Sequence, residues 1–321
     1  MYLLPYRNTI ELIYRFNCFN LVTFPAGFDM KRRSFLTGTM QLAALGLSGA
    51  HRIALGQQAI GSRVLRFGTT PVFLDDQAGF LTRWAGYLSG AVGTKVEFNS
   101  RRSYRDIMGM LRNDELDLAW ICGFPWVVHQ SQLRGLCIPL YHNEPWYQSY
   151  LIVSASDTQT ASPKDLRGKT FAYSDPDSNS GYLVPRTTLL KAGIDPDRYF
   201  ARSFFTWGHR NVVSAVASGL ADAGAVDGYV WETLKQVAPD LVAKTRVVWR
   251  SESYGFPPLA VRASLDSETE LRLRNAFLNM HRDKDGRRLL VELNLTGFAA
   301  FRPEVFDGIA RLTAIVNGRK P

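Results

Sequence analysis

The sequence predicts an α/β fold with two mostly parallel β-sheets, each flanked by helices. From Val64 onward, short apolar runs typical of buried strands alternate with segments whose apolar residues recur at helical spacing. Such alternation indicates parallel strands whose connecting helices cover both faces of a sheet. The chain has 321 residues, of which 46% are hydrophobic and 21% charged, so it is long enough for one large or two medium domains with sizeable cores.

The segment before this pattern resembles a twin-arginine export signal. Arg32 and Arg33 are followed by Phe35 and Leu36, and then by a weakly apolar stretch, residues 42–50, that is too short and too polar to remain in a membrane. A short core strand is the alternative for that stretch, but the basic residues before it favour export.

We expect the signal peptide to span residues 30–56. Residues 54–56 (Ala-Leu-Gly) form a plausible cleavage site, which leaves Gln57 as the mature start. Residues 1–29 do not fit such a signal, so we interpret them as an extension from a wrongly assigned start codon.

The charge of the predicted mature chain excludes one class of partner. The formal net charge is +9, but residues 57–321 hold 32 basic and 27 acidic residues. No dense Lys/Arg run is interleaved with aromatic residues, so nucleic-acid binding is not indicated. A mild positive excess favours the approach of small anions.

The first part of the mature chain contains five predicted strands and three predicted helices. Ser103 is expected to cap the second helix, with Asp106 three residues later as in a capping box. We expect the last of these strands to cross between the two sheets. The strands are predicted at residues 64–68, 95–98, 116–121, 136–140 and 150–154, and the helices at residues 78–88, 103–111 and 126–133.

The second part continues the alternation and ends in three helices. Its strands are predicted at residues 170–173, 200–205, 221–226, 246–249 and 259–261. Its helices are predicted at residues 182–192 and 211–218, in a segment ending at Val237, and at residues 268–281, 285–293 and 303–315.

A polar loop, residues 174–185, joins the strand at 170–173 to the next helix and reads S-D-P-D-S-N-S-G-Y-L-V-P. Ser178, Asn179 and Ser180 can each cap that helix, whose first N–H groups have no partner within it. Hydroxyls, free N–H groups and the positive end of the helix dipole together favour an anion site. The alternative is an ordinary helix cap without a ligand.

The order of several motifs resembles the phosphonate/phosphite-type periplasmic substrate-binding proteins of ABC transporters. The resemblance covers residues 64–316, and the S-N-S-G-Y-L-V-P block is its most specific part. The motifs are S-Y-R-D-I, D-L-A-W-I, W-Y-Q-S-Y-L-I-V, D-P-D-S-N-S-G-Y-L-V-P, G-H-R-N and G-L-A-D-A-G-A-V-D.

This resemblance implies the two-lobe, type II periplasmic binding protein fold. Lobe 1 would comprise residues 57–153 and, after the chain returns, residues 259–321 with the C-terminal helices. Lobe 2 would comprise residues 154–258. The lobes would close on a ligand by hinge motion in the periplasm, and the partner of this expected monomer would be an ABC transporter permease or a sensor kinase.

The resemblance also implies a set of ligand-binding residues. The loop residues that match the family's pattern are Ser178, Asn179 and Ser180, and the histidine of G-H-R-N is His209. The matching tyrosines are Tyr104 and Tyr147. An oxyanion needs several converging donors, and these positions follow strands or begin helices, where open α/β sheets bind ligands. A purely structural role remains the alternative for each of them.

Two positions differ from relatives that bind aminoalkylphosphonates. Where those relatives hold the ammonium group with carboxylates, this chain has Tyr229 and Pro257, neither of which pairs with a buried cation. Arg210 stands where relatives often have an acidic residue. We therefore expect a ligand without an amine, namely phosphite, phosphate or a small phosphonate, although nearby Asp227 could restore a carboxylate.

Cys122, in A-W-I-C-G-F-P-W, supports an alternative function. It follows a predicted strand, at the end of that strand that faces the predicted pocket. In this cysteine the chain resembles a regulatory branch of the family that senses arsenite through a cysteine in the pocket. Thiolates are soft ligands that suit As(III). An apolar filling role for Cys122 is the alternative, and we expect both Cys122 and Cys137 to be free and buried.

An enzyme is less well supported than a binding protein. The histidines lack metal-ligand spacing, and no P-loop or nucleophile elbow is present in the sequence. A serine of the 178–180 loop with His209 could imitate a nucleophile and base, and related folds serve as enzymes of pyrimidine synthesis. We nevertheless predict a binding protein without catalytic residues, metal or cofactor.

Overall fold

The computed structural model describes residues 64–70 and 78–318. The predictions for the leader, residues 1–29 and 30–56, therefore lie outside the described residues. Within these ranges, no helix has both the length and the apolar character needed to cross a bilayer.

Thirteen strands and eleven α-helices are present among the described residues. The strands are β1 (Leu65–Thr69), β2 (Val96–Ser100), β3 (Leu118–Trp120), β4 (Leu133–Leu140), β5 (Trp146–Tyr147), β6 (Ser149–Ser154), β7 (Thr170–Tyr173), β8 (Arg202–Phe205), β9 (Ala223–Asp227), β10 (Thr245–Arg250), β11 (Tyr254–Gly255), β12 (Leu259–Arg262) and β13 (Gly297–Ala300). The helices are α1 (Ala78–Val92), α2 (Tyr104–Arg112), α3 (Gly123–His129), α4 (Val184–Lys191), α5 (Pro196–Tyr199), α6 (His209–Ala217), α7 (Gly228–Val237), α8 (Pro239–Val242), α9 (Ser267–Leu278), α10 (Lys284–Glu292) and α11 (Asp307–Val316).

The strands form two main sheets, as the α/β prediction requires. The first has the order β13-β4-β12-β3-β1-β2 and the second the order β10-β6-β9-β7-β8. We use lobe 1 and lobe 2 for the parts of the molecule built on the first and the second sheet. The first sheet thus contains strands from both ends of the described chain, because the chain leaves lobe 1 after β4 and returns in β12.

Both sheets are mixed, which corrects the prediction that they are mostly parallel. β1 pairs with β2 and β3 in parallel, and β7 pairs with β8 and β9 in parallel. The strands that lead out of one sheet and into the other, β4, β6, β10 and β12, make antiparallel pairs instead.

The predicted crossing strand lies wholly in the second sheet. β6 pairs along its length with β9 and β10, so it is not the connection. The two-stranded ribbon of β5 and β11 stands between the sheets in the chain, with Tyr147 opposite Tyr254. In the chain the ribbon strand β5 precedes β6, and β12 begins at Leu259, where the chain re-enters the first sheet. The lobe boundaries at residues 153 and 258 stay predictions.

Several helix bounds differ from the prediction for local reasons. α3 begins at Gly123, three residues before the predicted start, because Pro125 is tolerated within a first helical turn. The last predicted helix is divided into a 3₁₀ turn, Pro303–Phe306, and α11. Ser103 caps α2 as predicted, since its side chain accepts a hydrogen bond from the Asp106 amide.

The core of lobe 1 is an aromatic cluster beneath α1 and α9. Trp84 of α1 lies against Phe67 of β1 and Phe277 of α9, with ring centroids 5.4 and 6.3 Å away. All three side chains are fully buried. This core fixes the carboxyl-terminal ends of β1 and β3, from which the first half of the candidate site is built.

Candidate functional site

The predicted ligand residues come from both lobes and lie at strand ends and helix starts. Tyr104 begins α2 and Cys122 precedes α3 on the lobe 1 side, and Tyr147 lies in β5, in the ribbon between the two main sheets. In lobe 2, His209 begins α6 after β8, and the 178–180 loop follows β7. Each of these side chains is at most 4% exposed, so the site is enclosed between the lobes.

A chain of hydrogen bonds connects Tyr104, His209 and Asp227. The His209 ring accepts the Asp227 backbone N–H at Nδ1, at 3.0 Å, and its Nε2 lies 3.1 Å from the Tyr104 hydroxyl oxygen. Burial lowers the pKa of His209 to about 3, so the ring is neutral near pH 7. Because Nδ1 is an acceptor, the single ring proton lies on Nε2 and is donated to Tyr104.

This proton arrangement leaves the Tyr104 hydroxyl able to donate. Its oxygen already accepts from His209, and burial raises its pKa well above the usual range, so the phenol keeps its own proton. That proton has to point away from His209. The pair therefore presents one neutral O–H donor to the enclosed space, rather than the charged imidazolium donor that an anion-binding histidine would suggest.

Asn179 of lobe 2 makes one hydrogen bond to Cys122 of lobe 1 and one to Tyr147 of the β5–β11 ribbon. Its backbone N–H donates to the Cys122 sulfur at 3.2 Å, and its side-chain amide donates from Nδ2 to the Tyr147 hydroxyl at 2.9 Å. The Ser180 hydroxyl is close enough to influence the pKa of Tyr147 but makes no hydrogen bond of acceptable geometry with it. Burial raises the pKa of Tyr147, so this phenol is also protonated.

Three polar atoms of the polar loop are buried without a hydrogen-bond partner among the described residues. They are Ser174 Oγ, Asn179 Oδ1 and Ser180 Oγ. An unpaired buried polar group costs about 1–3 kcal/mol. Three such atoms in one loop give the site unused capacity for both donating and accepting hydrogen bonds, as a bound polar ligand requires.

The loop geometry depends on a glycine. A Cβ placed on Gly181 would lie 1.8 Å from Ser174 Oγ, closer than any non-bonded contact. Residues Asn179–Leu183 form a single π-helical turn before α4, and Ser178 caps it by accepting the Gly181 amide at 3.0 Å. The amides of Asn179 and Gly181 are thus occupied within the protein, so neither of these two N–H groups is available to an anion.

Two buried carboxylates, Asp175 and Asp227, complete the site and were not among the predicted ligand residues. Asp175 accepts the Tyr104 amide across the lobes at 3.1 Å, and burial raises its pKa. Asp227 caps α7 by accepting the amides of Tyr229 and Val230, and burial raises its pKa to about 7. Among the described residues, no arginine or lysine makes a hydrogen bond or ion pair with either carboxylate, although Arg105 pairs with Asp177, whose amide donates to Asp175.

Tyr229 lies beside this network without sharing its hydrogen bonds. Its hydroxyl donates to the Leu293 carbonyl of lobe 1, and its ring packs against Tyr141 and Phe256. Phe256 in turn contacts Tyr147, with ring centroids 5.8 Å apart. The structure therefore places Tyr229 in the wall behind the site. Pro257 supplies a carbonyl to Trp120 Nε1 at 2.9 Å.

Cys122 faces the site but is not an activated thiol. Burial raises its pKa to about 12, and its sulfur is already an acceptor for the Asn179 amide. Cys137 lies in β4, and both thiols are free and buried. Among residues 64–70 and 78–318, no group of three His, Cys, Asp or Glu side chains could hold a metal ion.

Comparison with known proteins identifies the family. Residues 67–306 match the model of the family described as "ABC transporter, phosphonate, periplasmic substrate-binding protein". The chain is 29% identical over 202 residues to the phosphate-import protein PhnD of Mycolicibacterium smegmatis, a match that covers 59% of this chain and 63% of that protein, less than two thirds of its length. It is 25% identical to the phosphonates-binding periplasmic protein of Escherichia coli, over 75% of this chain and 72% of that one.

Solved structures show the same fold. A binding protein component of an ABC phosphonate transporter from Pseudomonas aeruginosa superposes with a TM-score of 0.74 at 24% identity, covering 80% of this chain and 87% of that one. PhnD1 of Prochlorococcus marinus, solved in complex with methylphosphonate, has a TM-score of 0.72 at 21% identity and coverage of 79% and 98%. These likenesses confirm the two-lobe α/β fold.

Proposed function

The chain belongs to the family of periplasmic substrate-binding proteins of phosphonate ABC transporters, and we propose that it captures a small phosphorus oxyanion without an amine. Phosphite, phosphate and a small phosphonate such as methylphosphonate are the candidate ligands. The observation that carries this proposal is the set of three unpartnered polar atoms on Ser174, Asn179 and Ser180, enclosed beside the hydroxyls of Tyr104 and Tyr147.

The size of the donor set agrees with a small tetrahedral anion. Tyr104 reaches the site from α2, Tyr147 from β5, and Ser174 and Ser180 from the opposite lobe. A ligand that accepts hydrogen bonds from both lobes stabilises the closed form more than the open form, and this difference drives closure. The loaded protein would then dock on a membrane permease. The names of the matched relatives, which mention phosphate, phosphonates and phosphite, support this ligand class.

The absence of an amine is inferred from two positions. Tyr229 directs its hydroxyl to Leu293, and Pro257 has no polar side chain, so neither offers a carboxylate to an ammonium group. Asp175 and Asp227 are the two buried acids of the site that could do so. Isothermal titration with methylphosphonate and 2-aminoethylphosphonate tests this point, because binding of the amine at equal or higher affinity would contradict the proposal.

A role in arsenite sensing is less well supported. Arsenite binding would require a reactive thiol, whereas burial disfavours the Cys122 thiolate and Asn179 occupies its sulfur. Catalysis is also less well supported, since both nitrogens of His209 are engaged by Asp227 and Tyr104 and neither is directed at a serine. The transport role of the matched relatives agrees with a protein that binds without reacting.

A titration panel tests the proposed function directly. The full chain, dialysed free of anions, is titrated with phosphite, phosphate, methylphosphonate and sulfate. We expect at least one phosphorus oxyanion to bind with micromolar or tighter affinity, about −8 kcal/mol. Failure of every phosphorus oxyanion to bind would refute the ligand assignment.

Export to the periplasm by the proposed twin-arginine signal is tested by replacing Arg32 and Arg33 with lysine, and we expect loss of export.

A further inference from the structure

The two lobes also touch outside the polar loop, where α10 of lobe 1 ends against α7 of lobe 2. Asn294 follows α10 and reaches two side chains of α7: its Nδ2 donates to Thr233 Oγ1 at 2.9 Å, and its Oδ1 accepts from Gln236 Nε2 at 3.3 Å. Beside it, the Leu293 carbonyl accepts the hydroxyl of Tyr229. We call this group of five residues the clasp.

The three α7 residues of the clasp lie on one face of the helix. Tyr229, Thr233 and Gln236 follow one another at spacings of four and three residues, which place side chains above one another on an α-helix. Val230 and Leu234, on a neighbouring face, are buried. The helix thus keeps an apolar face buried and turns a separate face, with hydroxyl and amide groups, toward the end of α10.

The backbone at Asn294 favours glycine, which makes the asparagine informative. α10 ends in a Schellman motif, in which the Asn294 N–H donates to the Val291 carbonyl at 3.0 Å. The Leu295 N–H donates to the Leu290 carbonyl at 2.9 Å. Asn294 has a φ of 55°, a left-handed conformation that glycine adopts at lower cost. The turn therefore does not need the side chain, whereas the contact with Thr233 does.

The clasp needs no ligand to form. Its hydrogen bonds join only protein atoms, and neither Thr233 nor Gln236 is a proposed ligand residue. Each bond links lobe 1 to lobe 2, so separation of the lobes breaks it. At the site, the same separation would part Cys122 of lobe 1 from Asn179 of lobe 2, whose sulfur and amide nitrogen lie 3.2 Å apart. We therefore expect the clasp to break in the movement that opens the site.

We propose that Asn294 holds the two lobes together without ligand, so that breaking of the clasp limits how fast a ligand enters and leaves the site. The statement about the ligand-free protein stands apart from the proposed function, and the effect on ligand rates rests on it. A contact that stabilises the closed form equally with and without ligand slows both entry and release. It leaves the affinity almost unchanged, because it gives the ligand no preference between the two forms.

Asn294→Gly tests the clasp, because glycine fits the left-handed turn and only the side-chain hydrogen bonds are lost. The first measurement is the rate at which iodoacetamide labels Cys122 in the full chain without ligand, followed by mass spectrometry of the peptides. Cys122 is 4% exposed and is covered by Asn179 of the other lobe, so its labelling follows the population of the open form. We expect this rate to rise about three- to tenfold, as the loss of a neutral hydrogen bond shifts an equilibrium. Cys137, fully buried in the first sheet, should keep its rate.

Asn143→Gly is the matched control. Asn143 also has a left-handed backbone, with a φ of 65°, but it is exposed, and its side chain makes no hydrogen bond to lobe 2 within the described part of the chain. This variant should be labelled like the wild type. Thr233→Val removes the hydroxyl that accepts the Asn294 amide, so it should also speed the labelling of Cys122. Because both changes remove the same bond, the double variant should be labelled no faster than Asn294→Gly alone.

Stopped-flow binding of methylphosphonate, followed by tryptophan fluorescence, is the second measurement. In Asn294→Gly we expect the association and dissociation rate constants both to rise about three- to tenfold. The dissociation constant should change by less than about twofold, since the clasp acts on the free and the loaded protein alike. A residue that contacts the ligand behaves differently, because its loss speeds release without speeding entry.

The outcomes separate this inference from the proposed function. Unchanged labelling of Cys122 in both Asn294→Gly and Thr233→Val overturns the inference, whatever ligand binds. Faster labelling of Cys137 together with Cys122 also overturns it, because the variant would then loosen lobe 1 itself. Faster labelling of Cys122 alone supports the inference even where no phosphorus oxyanion binds, a result that refutes only the proposed function. A tenfold weaker affinity for methylphosphonate at an unchanged association rate overturns the inference and leaves the proposed function standing.

Discussion

Ser180→Ala should change affinity and stability in different directions. The Ser180 hydroxyl is 1% exposed and makes no hydrogen bond within the described part of the protein. Removing it takes no hydrogen bond from the ligand-free protein and relieves the cost of a buried, unpaired group, about 1–3 kcal/mol when the cleft is closed. The ligand-free variant should therefore be as stable as the wild type or more stable.

The affinity of Ser180→Ala should fall by a predictable amount. A hydrogen bond to a charged group contributes about 1.5–3 kcal/mol, which corresponds to a loss of roughly 10- to 150-fold in the dissociation constant. Urea unfolding without ligand and isothermal titration with the tightest ligand of the panel measure the two effects.

Ser251→Ala is the stability control for this experiment. The Ser251 hydroxyl is also buried, but it accepts the Ser149 amide at 2.9 Å and donates to the Glu252 carbonyl at 2.6 Å. Its removal should destabilise the protein by about 1–3 kcal/mol, because it leaves a buried amide unpaired. If Ser180→Ala loses as much stability as this control and keeps full affinity, the hydroxyl is structural and the reasoning is wrong.

Three further predictions concern the same loop and its neighbours. Gly181→Ala should destabilise the protein by more than about 3 kcal/mol in urea unfolding, since its Cβ would lie 1.8 Å from Ser174 Oγ. The double variant with Ser174→Gly should recover part of that loss. A single variant as stable as the wild type would contradict the loop geometry. Cys122 should react with iodoacetamide far more slowly in the folded than in the unfolded protein near neutral pH, because burial raises the pKa of its thiol to about 12. Fast labelling of the folded protein would show instead that the thiol is accessible and ionised. His209 should make the protein less stable as the pH falls from about 6.5 towards 3, because its lowered pKa lets only the unfolded state take up the proton. The free energy of unfolding should fall by up to about 1.4 kcal/mol per pH unit. His209→Gln should lack this contribution, so the difference between the two stability–pH curves measures it.

The sequence was most informative where a local pattern has a local cause. The strand at residues 170–173, the cap of α2 by Ser103 and the placement of the polar loop between a strand and a helix follow from apolar runs and short-range hydrogen bonding. These features were predicted correctly. The α/β class also followed, because strand–helix alternation is visible without any long-range information.

Long-range pairing could not be predicted in the same way. β6 has the composition of any buried strand, and only its pairing with β9 and β10 shows that it belongs to the second sheet. The two-residue strands β5 and β11 are too short to produce a periodic pattern. The mixed character of both sheets likewise depends on the directions in which distant segments meet.

The charge states of the site residues could not be predicted from the sequence either, because they also depend on contacts between distant segments. A histidine in G-H-R-N suggests a charged donor, but its neutral state depends on complete burial and on the Asp227 amide 18 residues later. Asp175 and Asp227 each stand where a strand ends and a helix or turn begins, which is a usual place for a cap. That position was the available signal, and only the fold shows that the two carboxylates enclose the ligand residues.

The neutral donors of the site have a consequence for what the transporter can detect. Because Tyr104, Tyr147 and Ser180 carry no formal charge, these donors place no positive charge next to a bound anion, and its negative charge would stay unpaired by them inside the site. A membrane partner could then distinguish loaded from empty protein by field as well as by shape. Since buried interactions are screened much less than exposed ones, the salt concentration of the solution would have little influence on these enclosed contacts.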